Sequence, residues 1–260
     1  MAKTNPQPWP APNSHMIFGV NPVLEKIKAS PRDIDQIFIA GGSERSAARR
    51  IVRAAQDSGV RVQALDGKSL DRLTGVRWHQ GVAARVKPYG YFSFDDLLKE
   101  AAETPGRQWV LVLDGVTDPR NFGALLRTAE AVGIRHVVIP KDRSVEVTPT
   151  VVKASAGAAY LLKVVKVTNL RRAIDDLKTR GFWAVGLDAE SRESLYDRSY
   201  PAKMVLVVGG EGKGVRPINL RQCDILVSIP MRGRISSLNV SVAAGICLYE
   251  LLRQSRLEPK

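Results

Sequence analysis

The sequence predicts an α/β fold: a parallel sheet covered by helices, preceded by a smaller α/β unit. Three observations carry this. Continuous apolar runs stand at residues 109–113, 136–139, 183–187, 204–208 and 225–229, with helical stretches between several of them. Runs apolar on both faces are strands buried on both sides, the mark of a parallel sheet. Before residue 89 the pattern differs. Residues 36–40 form a β-like run ended by Gly41-Gly42, and residues 46–58 form a helical stretch with Ala47, Ile51 and Ala54 or Ala55 at helix spacing. Gly59 closes that stretch, and residues 60–65 and 81–86 read as the next strands. Between the two regions, residues 89–107 read as a linker: aromatics, a short acidic helix near 95–103, then Pro105-Gly106. No internal repeat is present.

The 260 residues suffice for one large domain or two modest ones, and 44% hydrophobic with 25% charged is the balance of an ordinary globular protein. No apolar run approaches the ~20 residues a bilayer requires, so no membrane partner is expected. Pro6, Pro8, Pro10 and Pro12 make residues 1–15 a disordered leader rather than a secretory signal. The expected partition is therefore a leader at 1–15, a first domain at 16–88, a linker at 89–107 and a second domain at 108–260. Cys223 and Cys247 have neither metal-ligand nor disulfide spacing and read as small buried residues of a reducing, cytoplasmic protein. Lys and Arg number 39 against 26 Asp and Glu, a net charge of +13. That excess predicts a polyanionic partner, nucleic acid before membrane. Residues 16–88 hold 13 Lys and Arg against 7 Asp and Glu, so +6 of the charge falls there. A solvated helix face at Arg45, Arg49, Arg50 and Arg53 accounts equally well for part of it.

Ligand sites in parallel sheets gather at the carboxyl ends of strands, and three such ends are unusual. After 109–113 comes Asp114-Gly115-Val116-Thr117-Asp118-Pro119-Arg120-Asn121-Phe122-Gly123. Asp118 before Pro119 predicts a helix start, and Arg120, Gly123 and Arg127 then share one stripe. Gly123 predicts a close approach, with Arg127 projecting beside a gap. After 204–208 comes Gly209-Gly210-Glu211-Gly212-Lys213-Gly214, whose glycines would let backbone groups reach a ligand. Neither a P-loop nor a dinucleotide fingerprint fits the spacing, and Glu211 favours a cationic or ribose-bearing ligand over a phosphate. After 225–229 come Pro230-Met231, Arg232-Gly233-Arg234 and Ser236-Ser237-Leu238-Asn239, then a final helix at 240–253. That helix carries a stripe of Ser241, Ala244, Gly245 and Leu248, small enough for close contact with the sheet or with a second subunit.

These three segments resemble the signature motifs of the SpoU–TrmH branch of the SPOUT RNA methyltransferases. The matching residues are Asn121-Phe122-Gly123 with Arg127, then 209–214, then Ile229-Pro230-Met231 with 237–243, in the family's order and spacing. Phe122 departs mildly, since an aliphatic residue is usual there. Gly19 to Pro22 and His79-Gln80-Gly81 resemble the family's small L30e-like α/β substrate-binding domain. Within the branch the likeness runs to bacterial enzymes that methylate guanosine 2′-oxygens in 23S ribosomal RNA. The resemblance implies a C-terminal α/β-knot, a parallel sheet threaded as a trefoil. It also implies S-adenosylmethionine as cofactor, structured RNA as partner, and a homodimer with the site near its interface. It places the cofactor at Gly209, Gly210, Gly212, Ile229, Pro230, Met231, Ser237, Leu238 and Asn239. Arg127, Asn121, Glu211, Ser237 and Asn239 would form the catalytic set, and Arg120, Arg127, Arg232 and Arg234 would contact RNA. No metal is called for, and His15, His79 and His136 offer no evident general base. Two other readings stay open: a ribosome-associated binder that kept the fold, and a methyltransferase acting on transfer RNA.

Overall fold

The computed structural model describes residues 15–41, 46–212 and 214–257, and the chain divides into two units, residues 1–89 and 90–260. The expected leader lies outside the described residues except for His15, which opens a strand.

The first unit runs β1 (His15–Phe18), α1 (Val20–Ala29), β2 (Ile34–Ala40), α2 (Ser46–Asp57), β3 (Val62–Leu65), α3 (Gly67–Thr74) and β4 (Val82–Val86). Its sheet has the order β1-β4-β2-β3, with β4 antiparallel to both neighbours and β2 parallel to β3. Phe18, Phe38, Leu70 and Ala83 pack together beneath α3. The sequence reading lacked β1, α1 and α3. The first is four residues long, α1 has no side-chain cap at Gly19, and α3 is only eight residues. Short elements give periodicity little to act on.

The second unit runs α4 (Phe94–Glu103), β5 (Gln108–Asp114), α5 (Pro119–Ala131), β6 (His136–Pro140), α6 (Pro149–Ala154), β7 (Lys163–Val167), α7 (Leu170–Lys178), β8 (Trp183–Leu187), β9 (Lys203–Gly209), α8 (Pro217–Leu220), β10 (Ile225–Val227) and α9 (Val240–Leu257). All six strands are parallel, in the order β10-β8-β9-β5-β6-β7. Five coincide with the apolar runs, though β10 stops two residues early. The sixth, β7, reads Lys-Val-Val-Lys-Val and lies at the sheet edge, where charges are tolerated and guard against further pairing. Asp118, Thr148 and Asn169 cap α5, α6 and α7, and Pro119 and Pro149 occupy their first turns.

From β5 the chain lays β6 and β7 on one side, then crosses to place β8, β9 and β10 on the other. The boundary between β5 and β9 is thus where strand order reverses, with Asp114 opposite Gly209. Such a crevice is where α/β sheets bind ligands.

The stretch expected as a linker is built into this unit instead. Leu97 and Ala101 of α4 are buried with Val165, Leu170 and Val205. Glu100 pairs with Lys163 (Oε2–Nζ 2.6 Å) and with His136 (Oε2–Nε2 3.1 Å). Its hydrogen bond from Lys163 holds the Glu100 carboxyl below its ordinary value, while burial pushes His136 down. Leu97→Ala should therefore cost about 2–5 kcal/mol, as for a core leucine. Urea denaturation checks this; a change within about 0.5 kcal/mol would return α4 to linker status.

Candidate active site

The site grows from the last residue of β5. Asp114 lies at the end of an apolar strand with its side chain fully buried, so its charge must be met by hydrogen bonds. Oδ2 accepts from the Arg216 backbone N–H (2.9 Å) and from Asn219 Nδ2 (2.7 Å), and Oδ1 accepts from Arg216 Nε (2.7 Å). These bonds bring the chain after the glycine loop back to β5. The backbone adds to this: Gly210 N–H donates to Asp114 O (2.8 Å) and Gly214 N–H to Gly210 O (3.1 Å).

The loop needs glycine because other backbone of this chain packs against it. A Cβ at 209 would lie 1.8 Å from the Gly214 carbonyl carbon, and one at 210 would lie 2.1 Å from Gly115 O. Gly209 admits the loop's own backbone and Gly210 that of Gly115 after β5, where the sequence reading had them admit a ligand. Gly212 and Gly214 have φ of +79° and +61°, the left-handed turn that carries Glu211 outward.

Glu211 is where the three loops meet. Its Oε1 accepts from Asn121 Nδ2 (2.5 Å) and from Asn239 Nδ2 (2.8 Å), while Asn239 Nδ2 also donates to Asn121 Oδ1 (3.0 Å). Asn121 lies in the first turn of α5, whose cap Asp118 accepts from the Arg120 and Asn121 N–H groups, both at 2.8 Å. Asn239 caps α9: its Oδ1 accepts from Ser241 N–H (3.0 Å) and Ser241 Oγ (2.6 Å). Because Oδ1 must face those donors, the amide orientation of Asn239 is fixed and Nδ2 turns to Glu211. The carboxylate thus sits at the positive ends of two helices.

Not every expected residue joins this network. Arg120 and Arg127 are exposed on α5, with no ion-pair partner among the described residues. Gly123 does meet a close approach, but from inside the unit: its Cβ would lie 2.4 Å from Ala154 Cβ of α6 and 3.0 Å from Ser155 N. No gap opens beside Arg127 on that account. Ile229 is half-buried; Pro230, Met231, Arg232, Arg234, Ser237 and Leu238 are exposed in an irregular loop, and no contact brings Ser237 or either arginine to Glu211. Within 229–238 no backbone N–H or C=O has a hydrogen-bond partner among the described residues. Ala244 and Leu248 of α9 are buried within the chain, and Val242 and Tyr249 are exposed apolar side chains of the helix. Burial pushes the Cys223 and Cys247 thiols up to about 12, which disfavours the thiolate at both. No cluster of His, Cys and carboxylate groups suited to a metal occurs among the described residues, and none of their helices is long and apolar enough to cross a membrane.

The sequence reading missed Asp114, Arg216 and Asn219. An aspartate ending an apolar strand signals a buried charge, but its partners stand 102 and 105 positions away.

The fold and the candidate site define a parallel-sheet α/β protein with a polar cluster at the strand-order reversal. The chain belongs to the SpoU rRNA methylase family, whose description matches residues 108–249. Residues 16–92 match the domain described as RNA 2′-O ribose methyltransferase substrate binding. The chain is 41% identical over 241 residues to 23S rRNA (guanosine-2′-O-)-methyltransferase RlmB of Salmonella typhimurium, covering 93% of this chain and 99% of that one. It is 40% identical to the putative TrmH family tRNA/rRNA methyltransferase YacO of Bacillus subtilis, over 92% of this chain and 95% of that one. Among solved structures, the SpoU methyltransferase AviRb of Streptomyces viridochromogenes, in complex with AdoMet, shares the fold. It has a TM-score of 0.78 at 23% identity, over 95% of this chain and 92% of that one.

Asp114→Ala would strand the buried Asn219 amide and the Arg216 fork. It should cost about 1–3 kcal/mol or more in stability and loosen residues 210–216. Calorimetry with amide hydrogen exchange checks this; unchanged protection across 210–216 would contradict the anchoring role.

Proposed function

We propose that the chain transfers the methyl group of S-adenosylmethionine to the 2′-oxygen of a guanosine ribose in 23S ribosomal RNA. The observation that carries the reading is the union of the three motif loops through Asn121, Glu211 and Asn239 at the crevice between β5 and β9. The family membership and the RlmB relative support the reaction and the substrate.

The residues present suit the cofactor. Residues 229–238 offer free backbone donors and acceptors beside the exposed apolar side chains of Met231 and Leu238, a surface able to read an adenine edge and cover its faces. Ile229, Pro230, Met231, Ser237, Leu238 and Asn239 would hold the adenosine, with the Gly209, Gly210 and Gly212 turn forming the opposing wall. Oε2 of Glu211 has no partner among the described residues, which leaves negative charge for a cationic group. When bound, S-adenosylmethionine supplies an electrophilic methyl on its sulfonium.

Arg127 cannot serve as a base, because a guanidinium stays protonated. It acts instead as a charged fork that holds an RNA phosphate and stabilises the developing 2′-oxyanion, while a phosphate oxygen or water accepts the proton. Arg120, Arg232 and Arg234 add phosphate contacts. Residues 16–88 form the RNA-gripping domain and residues 108–260 the transfer domain, closed as a trefoil knot. The chain works in the cytoplasm as a homodimer in which Val242 and Tyr249 of α9 contribute apolar surface.

Incubating the full chain with methyl-labelled S-adenosylmethionine and unmodified 23S ribosomal RNA, then mapping by mass, should give 2′-O-methylguanosine. Base methylation, or transfer only to transfer RNA, would overturn the reading. Arg127→Lys should keep cofactor affinity and much of the RNA affinity but lose most single-turnover methyl transfer, and Arg127→Ala should lose as much or more. Near-normal transfer by the lysine variant would discard the fork.

A further inference from the structure

We propose that Arg143, at the tip of the loop after β6, grips a phosphate of the substrate RNA and so positions the strand on the rim of the crevice. This deepens the proposed function, on which it rests, by naming a contact that lies outside the three motif loops.

Backbone strain singles the residue out. Arg143 has a φ of +58°, in the left-handed region that glycine and asparagine adopt most readily. Among the described residues only Gln80 and Ala156 share such a φ without being glycine. Both have a use inside the chain. The Gln80 amide oxygen accepts from the Val20 N–H (3.0 Å). Ala156 follows Ser155, the cap of α6, and its N–H donates to Lys153 O (2.9 Å), in the left-handed turn that ends many helices. Arg143 has no such use: its side chain is exposed and makes no hydrogen bond or ion pair among the described residues. Glycine would meet the demand of the turn at less cost. A long cation kept at a strained position without an internal partner points to a partner outside the chain.

The loop is anchored on both sides of that tip. β6 ends at Pro140 and runs parallel to β5, so the two strands present their carboxyl ends together. The Lys141 N–H donates to Val167 O (2.9 Å) of β7, and the Val145 N–H donates to Val116 O (3.1 Å) in the loop after β5. The Val147 N–H donates to the Tyr91 hydroxyl (3.0 Å), and Glu146 pairs with Lys166. Val116 and Val147 are buried, so these bonds tie the flanks of 142–144 to the core. Val116 stands just before Asp118, the cap of α5 that fixes the N–H groups of Arg120 and Asn121. Arg143 is therefore carried by a loop bonded to the one that leads to Asn121. Lys141 and Asp142 are exposed and offset one another in charge, which leaves the Arg143 guanidinium as the net cation of the tip. A guanidinium on an anchored loop at the strand ends suits a phosphate, whose oxygens it meets with two parallel N–H groups. Such a contact fixes the register of an RNA strand without reading its bases.

The test uses the full chain with unmodified 23S ribosomal RNA, read by direct binding at several salt concentrations and by steady-state methyl transfer. Arg143→Gly should melt no lower than the wild type, because glycine takes this backbone without strain. It should bind the RNA roughly 5- to 30-fold more weakly, and the slope of log affinity against log salt should shrink by about 0.7–0.9. KM for the RNA should rise in step, with kcat at saturating RNA and S-adenosylmethionine affinity unchanged. Arg143→Lys keeps the charge and should keep the salt slope. Wild-type RNA affinity and salt slope in the glycine variant would overturn the contact. So would a lower melting temperature or a loss of S-adenosylmethionine affinity in that variant, either of which would mark Arg143 as a support of the fold. Absence of methyl transfer by the wild type would instead sink the proposed function, while the salt slopes would still decide the phosphate contact.

Discussion

The side-chain amide of Asn239 carries an acceptor at one end and donors at the other, and the site uses both. The oxygen satisfies the orphan Ser241 N–H at the start of α9, and the nitrogen reaches Glu211 and Asn121. Helix capping alone would accept Ser, Thr or Asp at this position. A hydroxyl has one O–H and an aspartate none, whereas the amide caps the helix through its oxygen and donates to both Glu211 and Asn121 through its nitrogen. The last helix is therefore fastened to loops that follow two other strands, and the geometry of one determines that of all three.

Behind this surface network lies a buried one. Asp114 pulls residues 216 and 219 back to the end of β5, which forces the chain between them and β9 into a tight turn. The turn is possible only because positions 209 and 210 have no side chain. Glu211 is presented at its tip as a consequence. Rigid strands thus define where the loop begins and returns, and the carboxylate's position follows from backbone constraints more than from its own contacts. Placement of this kind is set by the fold and does not wait for a ligand.

Legibility in the sequence followed physical cause. Strands buried on both faces announced themselves as apolar runs, whereas β7, at the sheet edge, hid behind Lys163 and Lys166. The helix α4 was visible as a helix, but its membership in the second core depends on Leu97 meeting residues far along the chain. Asn121, Glu211 and Asn239 were found through resemblance to a family, since no local pattern relates positions separated by 90 and 118 residues. Gly212 and Gly214 have no close neighbour and serve by positive φ, whereas Gly209, Gly210 and Gly123 are points of close approach, as Gly123 was read. What approaches them is this chain's own backbone and helix α6, which spacing alone could not reveal.

The central claim is that Asn121 and Asn239 act as one unit through Glu211. A double-mutant cycle of Asn121→Ala and Asn239→Ala, read by S-adenosylmethionine affinity, tests it most directly. The lost α9 cap enters both arms that contain Asn239→Ala and cancels. The account predicts non-additivity of about 1 kcal/mol or more, within the span for residues sharing one network. Losses that add to within about 0.3 kcal/mol would show that the loops meet without depending on one another.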